Sequence, residues 1–433
     1  MANRMVKING VKRVLPKGVS VRNDGRFMYR YNVNGKQCAI YARTLEEMKE
    51  KIEDLQFNLY IGKDMKFDKM SLNDWWDTYL DVFKKGNCKI ASFNNKVNYY
   101  DWYVRPYPIG GMKLGDITTL HVTAHFKMLA EKGCKQNGKK EKGLGKGTLN
   151  TIANMLKLAM DAAITEKVVF SNPFQSALLN VNAREQKKVD AISKEEQDAL
   201  VEYLKKPGFQ NRWLPYFGVL LTTGLREGEA LALTWDDIDF EKNTIRVSKT
   251  MQYRNIDGHR TFFINTPKTV NGFRELPMSE QTRKLFMIQK EYQKEKKIRQ
   301  DISISEINNN GDVLKSYKGF VFTTGLGMPF TNDAVLQSLR RVVNNYNKEE
   351  TALAHEENRE PIMINEDITV HMLRHTYTTR VVEAFYESGN PDFNLLRVLL
   401  GHSNIQTTID VYTSITKSMQ KQAVKSIEGL IAI

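Results

Sequence analysis

The stretch ITVHMLRHTYTTRVVEAFYESG, residues 368–389, places His371, Arg374 and His375 at offsets of three and four. On a helix, residues so spaced share one face, and here that face carries a guanidinium between two imidazoles. Two histidines one turn apart, with His402 as a third ligand, suggest zinc. However, HMLRH lacks the glutamate of the metalloprotease helix and puts a cation between the ligands, so the sequence predicts no metal. What remains is a cationic helix face suited to an anion.

Other residues add to that face from a distance. In TGLREGE, residues 223–229, an apolar segment breaks at Gly224 and resumes as a helix, which leaves Arg226 near the helix start. Helix-end amides and a guanidinium could both face an anion there. The stretches NTIRVSKTM (243–251), RTFFINTP (260–267) and RELPM (274–278) read as strands, and KTVNGF reads as a turn that projects Lys268 from a hairpin tip. Tyr412 ends GHSNIQTTIDVY, residues 401–412, ten positions after His402. Arg226, Lys268, His371, Arg374 and His402 thus supply cations and hydrogen-bonding imidazoles around a tyrosine, with no evident carboxylate set for a metal. A phosphodiester under attack becomes a dianionic five-coordinate centre. Two guanidiniums can grip its non-bridging oxygens while a tyrosine attacks and a lysine protonates the departing oxygen. No cofactor is implied.

Composition agrees with a polyanionic partner. The 433 residues carry 64 Lys and Arg against 50 Asp and Glu, a formal net charge of +14. Cys38, Cys88 and Cys134 are odd in number and widely spaced, which supports neither a disulfide framework nor a thiolate zinc site and suits a reducing cytoplasm. No segment has the length of apolar sequence that spans a bilayer, and the basic amino-terminal residues lack the apolar run of a secretion signal. The expectation is a soluble cytoplasmic protein with no membrane partner.

Three compositional blocks follow along the chain. Residues 18–42 predict a small sheet with turns at NDG and NVNGK, and Thr44 with Glu47 predicts a capping box opening a helix over 44–60. Arg22, Arg26, Arg30 and Lys36 fall beside Tyr29, Tyr31 and Tyr41, a mixture suited to gripping phosphates with a strand face in a groove. From Ser71 the pattern is helical, in four segments separated by the basic loop KGCKQNGKKEKGLGKG, residues 132–147. NVNAREQKKVDAIS, residues 180–193, reads as a linker whose last residue, Ser193, caps the next helix with Glu196.

These motifs, in this order, resemble the tyrosine recombinase family, also called phage-type integrases. TGLREGE is similar to the family's first arginine motif, TPKTVNGFRELP to its lysine segment, HMLRHTYTT to its His-x-x-Arg helix and LLGHSNIQTTIDVY to its histidine and nucleophile segment. The resemblance implies that Arg226 and Arg374 clamp the phosphate, Lys268 is the general acid, His371 and His402 assist, Tyr412 is the nucleophile and Glu229 is a supporting acid. Gly272 stands where many members have a serine. The implied layout is a small β-rich arm-type DNA-binding domain (1–62), an all-α core-binding domain (63–180), a linker (181–192) and a mixed α/β, mainly helical catalytic domain (193–433). It is most like the integrases of conjugative transposons and phages.

The implied activity is site-specific cutting and rejoining of double-stranded DNA through a 3′-phosphotyrosyl bond, for integration and excision of a mobile element. Core sites and separate arm sites, a homotetramer on DNA and an accessory excision or DNA-bending protein are the implied partners. A type IB topoisomerase-like nicking-closing enzyme and a non-catalytic DNA-binding regulator are the alternatives. After Tyr412, the residues Met419, Ala423, Ile427 and Ile431 recur every four positions, an apolar stripe expected to dock on its own catalytic domain or on a neighbouring protomer.

Overall fold

The computed structural model describes residues 5–8, 11–33, 36–60, 69–134, 143–185, 191–256, 259–266, 272–308, 312–389, 392–401, 404–406, 408–410, 412, 413 and 415. Lys268, His402 and the stripe after Tyr412 lie outside them. The chain is mixed α/β and divides into two compact units, Met1–Asn87 with Ala91–Gln186, and Cys88–Ile90 with Lys187–Ile433.

The first unit holds two cores. Strands Val19–Val21, Phe27–Val33 and Lys36–Ala42 form an antiparallel sheet in that order. Phe27 pairs with Ala42 and Tyr29 with Ile40, so strand alternation sends these side chains to one face. There Leu15, Val19, Phe27 and Ala42 bury against Leu45, Met48 and Ile52 of the helix Leu45–Tyr60. Thr44 caps that helix by accepting from the Glu47 amide (3.1 Å). The Glu47 carboxylate, however, reaches the Arg43 amide (2.8 Å), one residue earlier than a closed capping box would have it. The opposite face turns Arg22 and Arg26 over the Tyr41 ring, at 5.3 and 6.0 Å. A separate hairpin, Met5–Ile8 paired with Val11–Val14, was not expected.

The second core is helical, as the periodicity predicted. Helices Leu72–Tyr79, Ile90–Tyr103, Thr119–Lys132 and Lys146–Thr165 supply it, and Ser71 with Asp74 closes the first in a reciprocal capping box. Trp76 stacks on Tyr100 with ring centroids 4.5 Å apart, and the indole N–H of Trp75 donates to the Ala159 carbonyl at 2.8 Å. Burial of this apolar surface, aromatic and aliphatic together, is the dominant favourable term for such a unit.

In the second unit, Ser193 and Glu196 cap the helix Lys194–Leu204. Ile192 is tied to the helix Val370–Ser388: its amide donates to Thr376 Oγ1 (3.2 Å) and its carbonyl accepts from Arg380 (3.0 Å). Trp213, Tyr216 and Phe217 on the helix Trp213–Thr223 meet Phe322 and Phe330 in the core. NTIRVSKTM, expected as one strand, is two. Thr244–Val247 joins Arg274–Pro277, while Thr250–Ile256 joins His259–Asn265 in another sheet. Lys249, between them, is drawn inward to ion-pair with Asp237, and this breaks the strand. The strands on either side of the Lys268 segment, His259–Asn265 and Arg274–Pro277, belong to different sheets, whereas the sequence led us to expect them to pair as a hairpin; Lys268 itself lies outside the described residues. Strands Ile304–Ile307 and Val313–Tyr317 complete the four-stranded sheet.

Candidate active site

Gly224 closes the helix Trp213–Thr223 in the left-handed conformation (φ 63°). A Cβ there would come within 2.2 Å of the Tyr377 ring, so the turn requires glycine on both counts. The turn delivers Arg226 to the N-cap of the short helix Glu227–Leu231. The Arg226 amide donates to Glu229 Oε2 at 2.9 Å. Its guanidinium bonds Glu229 Oε1 (2.9 Å) and the Gly401 carbonyl (3.1 Å).

Arg374 approaches from the helix Val370–Ser388 and is 5 % exposed. It donates to the carbonyls of Gly224 (2.5 Å) and Leu400. Leu400 and Gly401 end the helix Phe393–Leu400, whose last carbonyls lack intrahelical partners and welcome cationic donors. Arg226 and Arg374 thus grip successive carbonyls directly before His402. His371, one turn before Arg374, meets His375 edge-on at 4.8 Å. His371 keeps an exposed edge, but burial of its inner side, followed by His375, Arg374 and Arg226, holds its imidazole at about 4, neutral at pH 7. Tyr412 packs against Phe393 (4.9 Å between rings) in an apolar cluster with Val382, Leu396 and Leu400, beside the residue whose carbonyl Arg374 takes.

One further cation escaped the sequence reading. Arg274 has a side chain 3 % exposed and bonds both oxygens of Glu229, at 3.1 and 2.8 Å. Burial would raise the Glu229 carboxyl, but Arg274 and then Arg226 overcome it and hold it at about 2. Arg374 is pushed below the usual guanidinium range by burial and by Arg226, though it stays protonated at neutral pH. Two guanidiniums hold one carboxylate here and a third, Arg374, lies further off, so the site carries surplus positive charge in a partly dry setting. That is the electrostatics of an oxyanion or phosphate receptor. The inward alternation of Arg274 with Leu276 in RELP was the available signal.

Residues 190–419 match the phage integrase family, and residues 6–59 match the DNA binding domain of tn916 integrase. The chain belongs to the phage integrase family. It is a tyrosine-type site-specific recombinase, an enzyme of DNA integration and excision related to the integrases of conjugative transposons. It is 25 % identical over 434 residues to a "Tyrosine recombinase XerC-like" protein of Caldanaerobacter subterraneus subsp. tengcongensis, covering 96 % of this chain and 100 % of the other. It is 25 % identical over 419 residues to the "Transposase from transposon Tn916" of Enterococcus faecalis, covering 93 % of this chain and 92 % of the other. Its fold is similar to that of a Tn1549 transposon integrase solved in complex with transposon right end DNA (TM-score 0.62, 22 % identity). That likeness covers 82 % of this chain and 99 % of that one.

Proposed function

We propose that Arg226 and Arg374 clamp the non-bridging oxygens of the scissile phosphate and that Tyr412 is the nucleophile. Lys268 is the general acid, and His371 and His402 assist with hydrogen bonds and proton transfer. The observation that carries this reading is the convergence of two arginines, from distant parts of the sequence, on the carbonyls of Leu400 and Gly401. A guanidinium has five N–H donors, so these bonds leave donors for phosphate oxygens. Tyr412 Oη attacks phosphorus, the bond to the 5′ oxygen breaks, and that oxygen takes the lysine proton. The products are a 3′-phosphotyrosyl bond and a free 5′ hydroxyl. Attack by the 5′ hydroxyl of a partner strand reverses the step without ATP. His371, held neutral, is positioned to donate one ring N–H without adding charge.

Residues 1–62 bind arm-type DNA sites, 63–180 and 193–433 bind core sites, and 181–192 link them. The active assembly is a homotetramer on double-stranded DNA, with an accessory excision or DNA-bending protein, in the cytoplasm. The net charge of +14 and the match of residues 6–59 to a DNA-binding domain support the DNA partners. The test is covalent-complex formation on a nicked suicide duplex. Arg226→Ala and Arg374→Ala each slow it by about 100-fold or more, the usual effect of removing a preorganised transition-state donor, and leave DNA binding nearly unchanged. Cleavage at the wild-type rate by either variant overturns the clamp. Joint products between two different duplexes separate recombination from simple nicking and closing.

A further inference from the structure

Arg274 opens the strand Arg274–Pro277 and pairs with Val247 across the sheet. An apolar side chain would ordinarily fill such an inward position. A buried guanidinium costs several kcal/mol to desolvate unless its partners are placed well. Here the partners are specific. Its two terminal nitrogens hold both oxygens of Glu229, and the same two oxygens bind the Arg226 amide and guanidinium. The carboxylate is therefore pinned between Arg274 on one side and Arg226 on the other.

The other edge of Arg274 lies against Gly401. A Cβ at Gly401 would stand 2.8 Å from one terminal nitrogen of Arg274, 3.0 Å from Cζ and 3.2 Å from Nε. The Nε–H of Arg274 is buried with no hydrogen-bond partner among the described residues. Gly401 itself has left-handed backbone (φ 60°), and its carbonyl accepts from Arg226. One side chain thus touches both the carboxylate that orients Arg226 and the residue that precedes His402.

We propose that Arg274 is a positioning residue for the phosphoryl-transfer step: through Glu229 it sets the guanidinium of Arg226, and through Gly401 it supports the carbonyl that the same guanidinium grips. The proposal rests on reading Arg226 as the phosphate clamp. It explains why a charged residue is buried where a strand needs only an apolar one, and why position 401 has no side chain. It also supplies a signature that a purely structural ion pair lacks. The groups facing Glu229 are Arg226, Arg274 and, further off, Arg374, with Tyr377 beside the last two. Without Arg274, only Arg226 and the more distant Arg374 oppose burial. Glu229 then rises and takes up a proton in mildly acid solution, and Arg226 loses its anchor as it does so.

The experiment uses the full chain, a nicked suicide duplex and single-turnover kinetics across pH. Arg274→Met is expected to slow covalent-complex formation by about 30- to 100-fold, since misplacing a reacting group by an ångström has effects of that size. DNA affinity, set by many phosphate contacts, stays within about threefold. The variant's rate falls below about pH 6 more steeply than wild type, as protonation of a buried, less compensated carboxylate requires. Arg226→Ala combined with Arg274→Met is no slower than Arg226→Ala alone, because both contacts of Arg274, to Glu229 and to Gly401, act on the reaction through Arg226.

Arg274→Lys, which keeps the charge should the methionine variant fail to fold, loses the two-point grip and slows by about tenfold. A rate within about threefold of wild type for folded Arg274→Met, or for Arg274→Lys if the methionine variant does not fold, overturns the proposal. So does a fully additive loss in the double variant. If Arg226→Ala itself cleaves normally, the underlying reading of the site fails; if it is inactive while Arg274→Met is normal, only this inference fails.

Discussion

Glu229→Gln isolates the charge balance at the centre of the site. Glu229 titrates at about 2 in the fold against an ordinary 4.5. At about 1.4 kcal/mol per pH unit, its ionisation contributes about 3 kcal/mol of pH-linked stability. Because the folded value is the lower one, that contribution is complete above about pH 4.5 and is lost as pH falls toward about 2. At neutral pH the amide also leaves Arg274 facing no counter-charge in a dry setting, so the total loss is about 3–5 kcal/mol.

The assay is urea unfolding of the full chain, wild type against variant, at a series of pH values. Carboxylates other than Glu229 titrate in both proteins and cancel in the difference. The stability gap narrows by about 2 kcal/mol between about pH 5 and pH 3, as protonated glutamic acid comes to resemble glutamine. A gap that stays constant over that range would show that the carboxyl is not held ionised by Arg274 and Arg226, and the electrostatic account of the site would fall.

Gly224→Ala combines a left-handed backbone with a clash against Tyr377, and loses about 2 kcal/mol or more in the same unfolding assay; a neutral result would contradict the turn geometry. His371, titrating at about 4, leaves no proton uptake near its ordinary value, so its imidazole resonance in NMR stays that of a neutral ring down to about pH 5. A midpoint near its ordinary 6.5 would refute that. Deleting residues 1–62 preserves cleavage at core sites and removes footprints at separate, sequence-distinct sites; identical footprints would exclude a second DNA specificity.

The His-Arg helix and the placing of Arg226 near a helix start were legible because both depend on local spacing that no tertiary contact overrides. Ser71 and Ser193 marked their helix starts for the same local reason. The sheets were less legible. Alternation with a turn pair announces strands, and it does so around Asn9-Gly10 and around NNNGD at 308–312, but such short segments are easily read as connectors. The break at Lys249 follows from a buried ion pair with Asp237, which no local pattern encodes. Arg274 was missed for a related reason. Its neighbours in RELP fit a strand, and its partner, Glu229, lies far away in sequence. The position of Tyr412 among Phe393, Val382 and Leu400 depends on how the helices Val370–Ser388 and Phe393–Leu400 converge, although the order of the motifs already placed it last.

The most direct test traps the protein on a nicked suicide duplex, digests both components and locates the cross-link by mass spectrometry. The expected adduct is a single phosphotyrosyl bond joining Tyr412 to the 3′ end of the cut strand, absent from Tyr412→Phe, which still binds the DNA. An adduct on another residue or at a 5′ end, or an adduct formed equally well by Tyr412→Phe, would contradict the assignment of the nucleophile and the site built around it.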